Sequence, residues 1–248
     1  MRILLSGLCG CMGEEMQKLL SSKPRGMELT AGVDAFAEGE TPVPCAKSFQ
    51  DACSEVDCVI DFSHHSMTNE LTAFAVQNKL PLVIATTGQT AEEKQMILQA
   101  AERIPVFFAP NYSLGIALLT ELAKKTAEVM KDAEIEIVEA HHDRKLDAPS
   151  GTALTLAEAI REVRPEANNV VGRSGQGKRT KEEIGIHSIR MGNIVGMHEI
   201  IIGTPNQTIT LKHESHSCAL FAEGALAAAE YLQGKPAGLY DMKSMISL

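Results

Sequence analysis

Tryptophan is absent from the 248 residues, and aromatic residues of any kind make up only 4%. A stacking platform for single-stranded nucleic acid needs such side chains, so that class of function falls away. An excess of positive charge is also missing: the formal net charge is −9, the wrong sign for a phosphate-backbone partner. The six cysteines (Cys9, Cys11, Cys45, Cys53, Cys58 and Cys218) contain no C-x-x-C pair. That spacing supports neither a zinc site nor a disulfide framework, and it leaves reduced thiols as the expectation. No apolar run approaches the length needed to span a bilayer. The short run at Ile3-Leu4-Leu5 lacks the apolar core and cleavage site of a secretory signal. A cytoplasmic protein without nucleic-acid or membrane partners is expected.

The content that is present, 44% hydrophobic and 22% charged, is that of an ordinary soluble protein with ample core. The first half has a regular grammar. Residues 2–6 read as a buried strand, glycines follow at once, and 14–20 read as a helix. Residues 27–33 read as a second strand ending at Asp34. Further strands are expected at 56–62, 81–85 and 105–109, with helices at 66–78 and from the capping box Thr90-x-x-Glu93 to about Arg103. Repeated βα units imply a parallel sheet covered by helices on both faces.

After Ser113 the grammar changes. A long helix to about Lys131 is followed by a strand at 134–140 and a helix at 152–163. The glycine-rich basic stretch 172–183 reads as a mobile loop, and three strand-like runs follow at 185–190, 194–203 and 207–213. Strands in succession point to a mixed or largely antiparallel sheet. The fold class is therefore α/β: an N-terminal Rossmann-type dinucleotide-binding domain plus an α+β substrate domain with an open mixed sheet. The last helix, 218–232, is expected to return to the first domain, giving 1–112 with 219–248 as one domain and 113–218 as the other.

Gly7-x-x-Gly10-x-x-Gly13 departs from the common G-x-G-x-x-G spacing, but it lies directly between a strand and a helix. There the backbone can approach a pyrophosphate, whose charge is favoured at the helix N-terminus. Asp34, at the end of the second strand, can accept hydrogen bonds from the ribose hydroxyls. Ala35 follows it, and no basic neighbour is there to meet a 2′-phosphate. NADH is the expected preference, with NADPH possible.

The stretch Glu134 to Thr152, EIEIVEAHHDRKLDAPSGT, is hard to explain by packing alone. Strand alternation puts Ile135, Ile137, Glu139 and His141 on one face, with Glu136, Val138, Ala140 and His142 on the other. His141 and His142 therefore do different jobs unless the strand ends near Ala140. A histidine can act as a general acid near neutral pH. A metal is the rival reading, but no H-E-x-x-H or cysteine pair supports it, and no metal is expected. Lys145 offers one cationic site, and the helix start at Ser150, Gly151 and Thr152 offers another. Two such sites suit a small substrate with two carboxylates. Asp147 reads as an orienting partner for a lysine or histidine.

The string Glu139-Ala140-His141-His142-Asp143-Arg144-Lys145-Leu146-Asp147-Ala148-Pro149-Ser150-Gly151-Thr152 resembles the signature of the dihydrodipicolinate reductase family of the diaminopimelate–lysine pathway. The likeness extends through Gly7…Met12-Gly13, Asp61-Phe62-Ser63, Thr86-Thr87-Gly88, Pro110-Asn111-Tyr112-Ser113, Gly192-Asn193-Ile194-Val195-Gly196 and Gly238-Leu239-Tyr240-Asp241-Met242. The resemblance implies an NAD(P)H-dependent reductase of a cyclic imine dicarboxylate, with a substrate domain that closes on the nucleotide domain, usually as a homotetramer. It implies His141 as proton donor and Lys145 as second catalytic residue, with His142, Gly151 and Thr152 at the substrate. It implies cofactor contacts from Gly7, Leu8, Cys9, Gly10, Cys11 and Met12, from Asp34, from Ala85, Thr86 and Thr87, and from Ala109, Pro110, Asn111 and Tyr112. The chain departs from the family where Cys11, Ala35 and Cys218 stand at positions commonly held by arginine. The first two departures strengthen the NADH expectation, and His213 or His216 is expected to replace part of the third contact. The alternative class is another nicotinamide enzyme of similar layout, such as a semialdehyde dehydrogenase, which needs a catalytic cysteine with a nearby basic partner, and no cysteine sits in the central stretch.

Overall fold

The computed structural model describes residues 1–246. The chain divides into two compact units, Met1–Ser113 joined by the segment from Cys218 onward, and Leu114–Ser217.

The first unit is built on strands β1 (Arg2–Ser6), β2 (Glu28–Val33), β3 (Cys45–Ala46), β4 (Cys58–Asp61), β5 (Leu82–Ile84) and β6 (Pro105–Phe108), with β12 (Gly238–Tyr240) added from the end of the chain. All pairs are parallel, in the order β12-β6-β5-β4-β1-β2-β3. Its helices are α1 (Cys11–Leu20), α2 (Thr68–Asn78), α3 (Ala91–Ala101) and α6 (Ala219–Leu232). The central strands are apolar on both faces because helices cover both. Leu4, Val59, Leu82 and Val106 join one cluster with Leu71, Phe74 and Ile97 of α2 and α3. The alternate residues Ile3, Leu5, Ile60, Val83 and Phe107 point the other way and are equally buried. The capping box of α3 forms as its sequence requires, with Thr90 and Glu93 each receiving the other's backbone N–H.

Two details of this unit differ from the sequence reading. Helix α1 begins at Cys11, not Glu14, so the turn is shorter and Gly13 lies inside the first helical turn. The edge strands β3 and β12 are too short for any period to show in sequence.

The second unit contains α4 (Leu114–Val129), β7 (Glu134–His141), α5 (Gly151–Val163), β8 (Asn168–Val171), β9 (Glu183–Arg190), β10 (Gly196–Thr204) and β11 (Gln207–Ser215). Its sheet has the order β11-β10-β7-β9-β8 and is mixed: β11/β10 and β10/β7 are antiparallel, β7/β9 and β9/β8 parallel. Register turns single-strand alternation into rows across four strands. Ile209, Ile202, Ile135 and Ile184 form one row, and Leu211, Ile200, Ile137 and Ile186 the next. Apart from the exposed Ile209, these rows pack under α4 and α5 with Leu119, Ala123, Leu156 and Ile160. Each fully buried isoleucine among them contributes about 1.5–3 kcal/mol. The third row is polar: His213, His198, Glu139 and Ser188. The change from apolar to polar rows marks where the core ends and the candidate site begins.

The segment 172–182 has neither helix nor strand, as its composition suggests, but it is anchored rather than loose. Arg179 pairs with Glu134 and Glu136 at 3.3 and 3.5 Å, and Arg173 pairs with Glu183. Strand β8, just before it, was not legible in the sequence; its residues are mostly exposed and show no alternation. Arg164 closes the C-terminal end of α4, donating to the carbonyls of Ala127 and Ala133 at 2.8–3.1 Å.

Candidate active site

In the first unit the turn after β1 is shaped for a ligand's backbone. Gly7 has φ +79°, and a β-carbon there would lie 2.7 Å from the Phe62 carbonyl. A β-carbon on Gly13 would lie 2.2 Å from the Gly7 oxygen. Only glycine lets helix and turn approach this closely. Gly10 is the N-cap of α1 with no side-chain cap, so backbone N–H groups at the helix start stay available to an anion. Asp34 accepts the Cys9 amide at 2.8 Å and the Phe36 amide at 2.9 Å. A cavity of about 490 Å³ is lined by Gly7, Gly10, Asp34, Ala35, Phe36 and His64, among others. A second, of about 250 Å³, is lined by Met12, Phe62, Ala85, Thr87, Pro110, Asn111, Tyr112 and Phe221. The glycine cradle, the strand-end acid and the two cavities fit a dinucleotide.

The expected cofactor residues fall into two groups. Gly7, Gly10, Met12, Asp34, Ala85, Thr87, Pro110, Asn111 and Tyr112 line these cavities, and Cys9 and Cys11 are exposed on the turn and helix start. Leu8, Thr86 and Ala109 are buried. The Leu8 side chain fills the space above Gly32, and Thr86 donates to the buried Asp61 at 2.6 Å. Tyr112 also turns its hydroxyl inward, towards the Ile84 and Phe107 carbonyls at 2.8 and 3.1 Å. Burial pushes the Asp61 carboxyl up against the opposing pull of Ser63, Thr86 and Ser6. Phe36, 89% exposed, and His64 border the first cavity, yet only their position beside Asp34 and Ser63 could have signalled it.

In the second unit β7 carries its alternation through to His141. Glu139 is fully buried, and its Oε2 lies 2.6 Å from His141 Nδ1. Arg190, at the end of β9, makes a forked contact with Glu139, Nη1 to Oε2 at 2.9 Å and Nη2 to Oε1 at 2.8 Å. The Ser150 amide also donates to Oε1, at 3.2 Å. Burial opposes ionisation of Glu139, but the hydrogen bonds from Arg190, Ser188, His141 and the Ser150 N–H outweigh it and hold the carboxyl down to about 2. For His141, burial lowers the pKa, Glu139 raises it, and Lys145 and Arg190 lower it, with a net shift downward.

His198, cross-strand from Glu139, packs edge-on against His141 with ring centroids 5.2 Å apart. Its Nε2 lies 3.0 Å from Ser150 Oγ, and its Nδ1 has no hydrogen-bond partner among the described residues. Burial is the main reason its pKa falls to about 4, so near neutral pH this ring is uncharged.

Lys145 and Asp147 pair at 2.8 Å, and the Asp147 carboxylate also accepts the Gly151 amide. Asp147 thus spans the two cationic features that the sequence suggested as anion holders. Ser150 caps α5 through the Ala153 amide at 3.2 Å and is only 2% exposed. Its hydroxyl is engaged within the fold, so Gly151 and Thr152 are the accessible part of the helix start. His142 follows the strand end, and its carbonyl accepts the Lys145 amide at 3.2 Å. Among the described residues no group of three or more His, Cys, Asp or Glu could hold a metal ion. Glu139, Arg190 and His198 were not assigned roles from sequence. The first shares His141's strand face and was legible as a carboxylate in an otherwise apolar alternation. The other two reach the site only through sheet register.

A glycine-turn nucleotide unit and a second unit with a carboxylate-bound histidine beside cationic groups define a nicotinamide-dinucleotide-dependent reductase. Residues 1–112 match the family model described as dihydrodipicolinate reductase, N-terminus, and residues 115–246 match its C-terminus. This chain belongs to the dihydrodipicolinate reductase family. It is 41% identical to a 4-hydroxy-tetrahydrodipicolinate reductase of Clostridium tetani, covering 99% of this chain and 97% of the relative. It is 42% identical to one of Caldanaerobacter subterraneus subsp. tengcongensis, covering 99% and 98%. Among solved structures, a dipicolinate-bound dihydrodipicolinate reductase from Paenisporosarcina sp. TG-14 superposes with TM-score 0.82 at 28% identity, covering 99% of each chain.

Proposed function

We propose that the chain reduces 4-hydroxy-tetrahydrodipicolinate to tetrahydrodipicolinate in diaminopimelate and lysine biosynthesis. The observation that carries this reading is the His141–Glu139 pair standing beside Lys145 and the α5 start in a chain of this family. One hydride and one proton enter the substrate and one water leaves. A bound nicotinamide dinucleotide supplies the hydride. The chain's own residues hold the imine and complete its reduction: His141 gives the proton, while Lys145, His142, Gly151 and Thr152 take the two carboxylates. Holding acceptor and acid in one geometry removes much of the entropic cost of the step. A steady-state assay with the imine and NADH tests the assignment. His141→Gln retaining near-normal turnover would show that another group supplies the proton.

NADH is the preferred cofactor in this reading, because Ala35 and Cys11 bring no cation to the Asp34 cavity and a 2′-phosphate would meet a carboxylate there. A higher kcat/KM with NADPH than with NADH would reverse this assignment. A cytoplasmic homotetramer is the accompanying proposal. It is supported by the sheet face turned away from α4 and α5, where Val138, Ile189 and Ile201 are not buried, and light scattering of the purified protein tests it. The semialdehyde dehydrogenase alternative is not favoured, because the relatives matched over the full chain at 41% and 42% identity are 4-hydroxy-tetrahydrodipicolinate reductases.

A further inference from the structure

A buried carboxylate with no role in binding substrate invites a question about what it is for. Glu139 has no solvent exposure, and its oxygens accept from His141 Nδ1, both Arg190 Nη atoms and the Ser150 amide, with Ser188 adding to the donors that hold it ionised. An ionised carboxylate can only accept hydrogen bonds, so the 2.6 Å contact requires that His141 Nδ1 carry a hydrogen. Nε2 then becomes the ring nitrogen whose proton is exchangeable. It lies against Gly196, where a β-carbon would come within 3.2 Å, so glycine at that position leaves room for this edge of the ring.

We propose that Glu139, held by Arg190, is the positioning residue for proton delivery: it fixes Nδ1–H of His141 and assigns delivery to Nε2. The inference rests on the reading of His141 as the acid. Arg190 is integral to it. A lone buried carboxylate would take up a proton rather than stay charged, and the guanidinium fork keeps it ionised. The same Arg190 Nη2 donates to the Asp147 carbonyl at 2.6 Å, so one side chain ties the acid to the loop that carries Lys145. Four charged or titratable groups surround the imidazole: Glu139 on its own strand, Lys145 in the following loop, Arg190 on β9 and His198 on β10.

A purely structural ion pair would stabilise the sheet and shift the imidazole's titration by its charge, but it would leave kcat at saturating substrate unchanged. The test is therefore a side-chain nitrogen NMR titration of His141 in the full chain, alongside kcat and KM for the imine with saturating NADH. In Glu139→Gln the imidazolium loses its anion, and His141 should titrate lower by about one pH unit or more. The alkaline fall of kcat should move down with it. Turnover should drop about tenfold or more, with imine KM within about threefold because uniform binding is retained. Glu139→Asp should recover part of the shift.

Arg190→Gln removes the fork that keeps Glu139 ionised, so Glu139 should take up a proton and His141 should again titrate lower. The same downward shift from two variants that leave the imidazole itself untouched is a signature that packing damage does not produce. If Glu139→Gln does not fold, the Arg190→Gln titration and kcat decide alone. An unmoved His141 titration or an unchanged kcat in a folded variant of either kind overturns the proposal. His141→Gln with normal turnover would instead remove the acid assignment, while leaving the tautomer result to be read from the NMR signal.

Discussion

Asp34 Oδ2 accepts the backbone N–H of Cys9 at 2.8 Å, so the carboxylate ending β2 is fastened to the glycine turn that follows β1. Asp34→Ala should loosen that turn as well as remove a ribose acceptor. A hydrogen bond to a charged group is worth about 1.5–3 kcal/mol, which corresponds to roughly a 10- to 150-fold weaker Kd for NADH. Fluorescence titration of NADH measures it, and an unchanged Kd would remove Asp34 from the cofactor site.

Gly196 gives His141 its clearance. Gly196→Ala would set a methyl group 3.2 Å from Nε2, closer than most real contacts of that kind, and the imidazole would have to turn. Displacement of a reacting group by about 1 Å can cost on the order of 100-fold, so a smaller shift here should cost kcat about tenfold. Circular dichroism should show the fold intact, since position 196 is the first residue of β10 and the change adds one methyl group.

Asp147 sits on the cationic features that a substrate carboxylate would use, pairing with Lys145 and accepting the Gly151 amide. A dicarboxylate must displace it. Asp147→Asn should therefore tighten binding of dipicolinate. Because Asp147 is more than half exposed, the pair is worth at most about 1 kcal/mol, so the gain should be about fivefold or less. Calorimetric titration with dipicolinate checks the direction; weaker binding in the variant would show that Asp147 orients Lys145 for the substrate instead.

Acid should destabilise the second unit in two stages. His198 is held neutral, its pKa lowered from 6.5 to about 4 mainly by burial. The unfolded chain therefore binds the extra proton first, and stability falls as pH drops from about 6.5 to about 4. Glu139 is held down from 4.5 to about 2, so its contribution is present above about 4.5 and is lost as pH falls from there to about 2. Urea unfolding across this range should show both slopes. His198→Gln should flatten the upper one and leave the lower one in place.

The α/β grammar, the glycine turn, the strand-end acid and the string from Glu139 to Thr152 were all legible in the sequence, because each depends on spacing within one or two elements. Helix caps such as Thr90-x-x-Glu93 and the i, i+2 face shared by Glu139 and His141 belong to the same local class. What the sequence could not determine are partners fixed by register. Arg190 reaches Glu139 because β9 lies parallel to β7, with Arg190 level with His141. His198 reaches Ser150 because β10 runs antiparallel on the other side. Nothing within a short window of residue 139 says which strands will flank it. The stretch EIEIVEAHHDRKLDAPSGT thus carries the proposed acid and its cationic neighbours, and only the assembled sheet supplies the buried carboxylate–guanidinium pair proposed to orient it. Local period is set by backbone geometry, whereas long-range pairing is set by which rows can be buried together.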